Sequence, residues 1–125
     1  MRRYRVLING FKESDFHRSI AYSLRDSGYE VVAADEELTG LAETSVQEDV
    51  EKAVFSAPAY KYREVKEMIA DFESYDSTHI GLLWLSDGFF DKTFISEHLD
   101  RSFHHLDRIF NPHESVEEVV EEVMK

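Results

Sequence analysis

A chain of 125 residues with 42% hydrophobic side chains and no cysteine can form one domain with a real core, but no disulfides or thiolate metal sites. Its formal net charge of −12 disfavours nucleic-acid phosphates as partners, because that affinity comes from Lys and Arg side chains. No run reaches the ~18 apolar residues that span a membrane, and the N-terminus has no apolar signal-peptide region, so we expect a single cytoplasmic domain over residues 1–125.

The first predicted elements are a strand and an amphipathic helix. Tyr4 to Ile8 is a short apolar run rich in β-prone residues. Phe16, Ile20 and Leu24 then recur every four residues, which predicts one buried face of a helix. Gly28 follows in the position of a helix C-cap, so the helix should end there.

The next predicted elements are strand, loop, helix and strand. Tyr29 to Ala34 has the composition of a second buried strand, and Asp35 to Gly40 is predicted to be a loop. Ser45 and Glu48 have the spacing of a capping box, which predicts a helix from Ser45 to about residue 51. Lys52 to Pro58 is ambiguous between helix and strand, and we interpret it as a strand because its apolar part is short.

The second half of the chain continues the alternation. Strands are predicted from His79 to Ser86 and over Asp107 to Pro112. Ser115 is predicted to cap the last helix. Three amphipathic helices are marked by Val65, Met68, Ile69 and Phe72, by Ile95, Leu99 and Phe103, and by Val116, Val119, Val120 and Val123.

Five alternations of strand and helix predict an α/β fold with a parallel sheet covered on both faces. Right-handed crossovers make this a flavodoxin-like, doubly wound (βα)5 domain of three layers. Ligands of such sheets bind beyond the carboxyl ends of the strands. The candidate loops are Asn9 to Asp15, Asp35 to Gly40, Ser56 to Tyr60, Ser86 to Phe90 and Asn111 to Ser115.

Known phosphate chemistry does not match these loops. The chain has neither the G-x-G-x-x-G of dinucleotide folds nor the G-x-x-x-x-G-K-[ST] of P-loops. A phospho-acceptor receiver needs a carboxylate pair after the first strand and an aspartate after the third. Asn9 and Ser56 occupy those places, so the sequence argues against that chemistry.

Four strings, in this order and spacing, resemble the cobalamin-binding domain of methylmalonyl-CoA mutase-type enzymes. They are RVLI in the first strand, LRDSGYEVV, VQEDVEKAVFS and DRIFNPHESVEEVVEEV, and they cover nearly the full chain. The resemblance implies the same flavodoxin-like fold. It also implies a lost cofactor, because the family's D-x-H-x-x-G motif falls, without gaps, on Phe11, Glu13 and Phe16.

A displaced version of the cofactor motif remains. Asp15 and His17 form a D-x-H four residues later, with Ile20 in the place of the glycine. The resemblance implies that His17 would be the cobalt ligand if cobalamin binds, and that Asp15 would orient its ring. The family's later cofactor motifs fall at Ser56, Asp87, Gly88 and Asn111, so the resemblance implies that these residues would also bind cobalamin, with Ser56 in contact with its nucleotide tail.

Three functions follow from these observations. The favoured one is a degenerate relative without cofactor, not an enzyme alone, that acts as a non-catalytic subunit, with a protein partner or as a homo-oligomer. Large apolar residues would fill the cofactor slot, and the cluster of Trp84, Phe89, Phe90 and Phe94 could form a partner surface. The alternatives are a cobalamin carrier that uses His17, and a small-ligand or nucleotide sensor.

Overall fold

The computed structural model describes residues 4–10, 15–34, 38–75, 80–86, 106–110 and 115–125. Five strands form one sheet: β1 (Arg5–Asn9), β2 (Glu30–Ala34), β3 (Lys52–Ala57), β4 (Gly81–Ser86) and β5 (Leu106–Phe110). The helices of the described residues are α1 (Asp15–Asp26), α2 (Leu38–Gln47), α3 (Tyr62–Ser74) and α4 (Val116–Val123), with a 3-10 turn at Ala59–Lys61.

All strand pairs are parallel, and the strand order is β2-β1-β3-β4-β5. This is the flavodoxin-like, doubly wound order that the alternation of elements predicts. The order reverses at β1, which lies between β2 and β3. Crevices for ligands form at such a reversal, so the ends of β1 and β3 define the place where a site is expected.

Side chains that alternate along the strands supply two cores, one on each face of the sheet. On one face, Phe55 and Trp84 pack with α2 and α3. On the other, Val54 and Leu83 pack with α1 and α4. The Trp84 ring stacks on Phe55 at 5.9 Å, and its indole N–H donates to the carbonyl of Ala57 at 2.9 Å. The three layers of the predicted fold are therefore present.

Helix α1 ends as the sequence predicts. Gly28 has a φ of +95°, its N–H donates to the carbonyl of Arg25, and the N–H of Tyr29 donates to the carbonyl of Leu24. These two bonds form a Schellman motif, which satisfies carbonyls that the end of a helix leaves free. Tyr29 then packs against the core that contains Leu24, so the motif also directs the chain into β2.

The predicted boundaries of α2 are wrong. The helix begins at Leu38, inside the predicted loop, and ends at Gln47. Ser45 is buried within it and is not an N-cap. A second Schellman motif ends the helix, with Asp49 at a φ of 53° in the position that glycine usually takes. The chain therefore stops this helix without the glycine that would have marked it in the sequence.

Most other predictions are confirmed, including the ambiguous Lys52 to Pro58, which forms β3. Ser115 caps α4 by accepting a hydrogen bond from the N–H of Glu118 at 3.2 Å. Strand β2 is at the edge of the sheet and only its last residue, Ala34, is buried, so its description as a buried strand is wrong. The predicted helix over Ile95 to Phe103 lies outside the described residues.

Candidate functional site

Polar side chains gather where the strands end. We call Asn9, His17, Ser56 and Ser86 the strand-end cluster. Asn9 is the last residue of β1 and Ser86 the last of β4, and both are 6% exposed. His17 is buried too and Ser56 is half-buried, and Ser45 is the one buried polar side chain of the described residues outside the cluster. Buried polar groups are therefore concentrated at the edge where ligands of this fold bind.

A contact between His17 and Ser56 joins α1 to β3. Nε2 of His17 forms a hydrogen bond with Oγ of Ser56, across 39 positions of sequence. His17 lies on the buried stripe of α1 with Ile20 and Leu24, and the side chain is 9% exposed. Helix and strand periodicity explain the contact. Ser56 follows Val54 by two residues in β3 and so faces the same side of the sheet as α1.

Asp15 does not join this contact. Its side chain is 94% exposed and forms an ion pair with Arg18 one turn along α1. The ring of Phe16 instead lies edge-on to the His17 ring, with centroids 6.2 Å apart. Among the described residues, His17 thus contacts Phe16 and Ser56, while Asp15 pairs with Arg18.

The strand-end cluster offers hydrogen-bonding groups and no carboxylate. An amide, an imidazole and two hydroxyls both donate and accept, but none carries a fixed charge. The Ser56 hydroxyl beside an imidazole is also the contact between nucleophile and base that acyl-transfer enzymes use. Within the described ranges, no group of three His, Cys, Asp or Glu side chains could hold a metal ion.

The other predicted site residues divide into two groups. Asp87, Gly88 and Asn111 lie outside the described residues, so their predicted roles stay predictions. Trp84 is fully buried in the core with α2 and α3, so its assignment to a partner surface is wrong. The other members of that proposed cluster, Phe89, Phe90 and Phe94, also lie outside the described part.

Sequence reasoning missed the contact between Ser56 and His17, although a signal was present. His17, Ile20 and Leu24 are spaced at i, i+3 and i+7, which places His17 on the buried face of α1. The i, i+4 spacing of Phe16, Ile20 and Leu24 predicts a face through Phe16 instead, and Phe16 is only partly buried. Ile20 and Leu24 are common to both faces, so the prediction misses the histidine only because it begins the face at Phe16 and not at His17.

No protein-family model matches the chain, and no curated protein matches its sequence. Solved structures do match its fold. One is the signal receiver domain of the putative response regulator NarL from Mycobacterium tuberculosis, with a TM-score of 0.73, 15% identity, and coverage of 99% of this chain and 95% of that one.

Two further matches are proteins of pilus assembly. The pilus assembly protein CpaE from Caulobacter crescentus has a TM-score of 0.71 at 10% identity, and covers 98% of this chain and 92% of that one. A putative pilus assembly-related protein from Burkholderia pseudomallei has a TM-score of 0.62 at 11% identity, with coverages of 97% and 87%. At these identities the comparisons show the flavodoxin-like fold alone. They leave the resemblance to cobalamin-binding domains a prediction.

Among the helices of the described ranges, none is both long enough and apolar enough to cross a bilayer.

Proposed function

We propose that this chain is a non-catalytic binding module, a receiver-like domain that acts through contacts with other proteins. The observation that carries the proposal is that the strand-end cluster contains no carboxylate. Asn9 and Ser56 occupy the ends of β1 and β3, where a phospho-acceptor receiver needs carboxylates, and Ser56 is bonded to the buried His17.

The missing carboxylates matter for two steps of phosphoryl chemistry. An acyl phosphate forms only on a carboxylate, and the Mg²⁺ that neutralises the phosphoryl oxygens is bound through carboxylates. The side chains of Asn9 and Ser56 supply neither. What the fold retains is a rigid platform with helices on both faces, and such platforms also serve as binding surfaces. A signal receiver domain and two pilus assembly proteins share this fold, and their named roles fit a module of that kind.

Incubation with acetyl phosphate and Mg²⁺, followed by intact mass spectrometry, tests the absence of phosphoryl transfer. We expect no mass increase in this chain, while a receiver domain with its aspartate intact gains one phosphoryl group in the same buffer. A phosphoryl adduct that survives in His17→Ala and is lost in Ser56→Ala would contradict the proposal. Labelling of Ser56 by a fluorophosphonate would contradict its non-catalytic part.

Cobalamin carriage by His17 is the alternative function. One observation favours it: His17 and Ser56, which the resemblance assigns to cobalt and to the nucleotide tail, meet at the edge of the sheet where this fold binds ligands. To reach cobalt, His17 would have to leave Ser56 and turn out of the domain, without Asp15 to orient it.

Titration with aquocobalamin separates the two functions. The binding-module proposal expects no shift of the visible cobalt bands and no co-elution in gel filtration. A shift that disappears in His17→Ala, and persists in a matched variant of an exposed position such as Ser19→Ala, would establish the carrier function instead.

A further inference from the structure

A groove runs between α1 and α4 on the outer side of the three-layer domain. It has a volume of about 460 Å³ and is lined by Ser23, Glu117, Val120, Glu121, Met124 and Lys125. Its floor is apolar: Val120 packs on the core below, and Met124 is 46% exposed. Met side chains adapt to differently shaped apolar partners, which suits a docking surface. We call this feature the α1–α4 groove.

The rim of the groove carries negative charge that no described residue neutralises. Glu117 and Glu121 make no ion pair within the described residues, since the one lysine of the groove, Lys125, pairs with Glu122 at 3.1 Å. Glu117 and Glu121 are four residues apart on a helix, a spacing at which like charges repel. The helix dipole favours Glu117 in the first turn of α4 and disfavours Glu121 in the last turn.

The repulsion between Glu117 and Glu121 therefore lowers the stability of α4 in the isolated domain, and a basic partner would remove this repulsion. An apolar floor beneath an acidic rim is complementary to a helix with one apolar face and flanking Lys or Arg residues. The same charge repels phosphates of nucleic acids and anionic lipid headgroups. A second copy of this chain, with a net charge of −12, would be repelled as well.

We infer that the α1–α4 groove is the docking surface of the module, and that its partner is a basic amphipathic helix of another protein. The inference rests on the proposed binding function and names the class of partner. The proposed docking surface is formed by α1 and α4 and does not include the strand-end cluster. The helix would lay its apolar residues over Val120 and Met124 and place its basic residues against Glu117 and Glu121.

A fluorescein-labelled amphipathic helix of Leu and Lys is the probe, and its binding to the full chain is followed by fluorescence anisotropy at low and at physiological salt. The double variant Glu117→Gln/Glu121→Gln should bind about fivefold more weakly, with a smaller dependence on salt. The matched control Glu64→Gln/Glu67→Gln removes the same charge from exposed positions of α3, on the opposite face of the sheet, and should bind like wild type. Met124→Ser should weaken binding without changing the salt dependence.

Three results would overturn the inference. Equal loss of affinity in the α3 control would mean that the probe responds only to net charge. Equal binding of a scrambled peptide of the same composition would mean that no amphipathic face is recognised. Self-association of the chain that Glu117→Gln/Glu121→Gln strengthens and Met124→Ser abolishes would make a second copy the occupant. None of these results affects the acetyl phosphate experiment, so failure of the groove and failure of the proposed function are distinguishable.

Discussion

Residue 28 requires a backbone conformation that side chains disfavour. Gly28 has a φ of +95°, and a Cβ added there would meet nothing within 4 Å. The cost of Gly28→Ala is therefore conformational and not steric, and we expect the free energy of unfolding to fall by about 1–2 kcal/mol. Urea denaturation measures it, with Ser27→Ala in the preceding exposed position as control. A loss below the experimental error would show that the Schellman motif does not depend on glycine.

Ser45 is the opposite case, because replacing its side chain should increase the stability of the domain. Its Oγ is buried in α2 and has no hydrogen-bond partner within the part of the chain that the structure describes. Ser45→Ala deletes an unsatisfied hydroxyl and raises helix propensity, so we expect the free energy of unfolding to rise by about 1 kcal/mol. Thr44→Ala, one position earlier in the same helix, changes propensity without touching that hydroxyl. If both variants gain equally in thermal denaturation, the buried hydroxyl carries no penalty.

The contact between His17 and Ser56 should be measurable as a coupling energy. A double-mutant cycle with His17→Ala and Ser56→Ala should give about 1 kcal/mol, because either variant alone removes the hydrogen bond that joins them. The same cycle between Ser56→Ala and Ser19→Ala, an exposed residue of α1, should give a value near zero. Equal couplings would mean that the contact does not hold α1 on β3.

At the scale of elements, Arg5 ties the start of the sheet to the end of α2. Its guanidinium donates to the backbone carbonyl of Glu48, lies 3.2 Å from the carboxylate of Glu48 and 3.4 Å from that of Glu30, and its side chain is 22% exposed. An arginine in this place satisfies a carbonyl at the helix end and complements the helix dipole.

We therefore expect Arg5→Ala to lower the free energy of unfolding by about 1–2 kcal/mol, and Arg5→Lys to recover only part of it, since lysine lacks the planar fork. Hydrogen exchange at the end of α2 should accelerate in both variants. Arg18→Lys, which alters an exposed ion pair on α1, serves as control and should change stability by less than about 0.5 kcal/mol. Full stability in Arg5→Lys would show that charge alone is sufficient.

Elements also differ in how well the sequence predicts them, for physical reasons. Helix α3 is predicted because four large side chains mark its buried face, and all four are buried. Helix α2 is misplaced because small residues such as Ala42 and Ser45 form part of its buried face, and Ser45 with Glu48 mimics a capping box. The end of α2 has no sequence mark, since Asp49 adopts the left-handed conformation in place of glycine.

At the scale of the whole molecule, the sequence predicts the sheet but not the site. Alternating elements define the flavodoxin-like order, because few parallel topologies obey the rules of connection. The strand-end cluster depends on which side chains meet across the sheet, and His17 and Ser56 are 39 positions apart. Their separate periodicities point to the same face, but only the packing of α1 on β3 brings them into contact.

The most direct test of the account is a set of amide chemical-shift titrations by NMR, with beryllofluoride and Mg²⁺, with aquocobalamin, and with the basic amphipathic helix. We predict that the first two leave the resonances of Asn9 and Ser56 unmoved, whereas the helix shifts resonances of α1 and α4 around Val120. Shifts at Asn9 and Ser56 with beryllofluoride or aquocobalamin would contradict the account, because the strand-end cluster would then bind the ligands of a phospho-acceptor or a cofactor carrier.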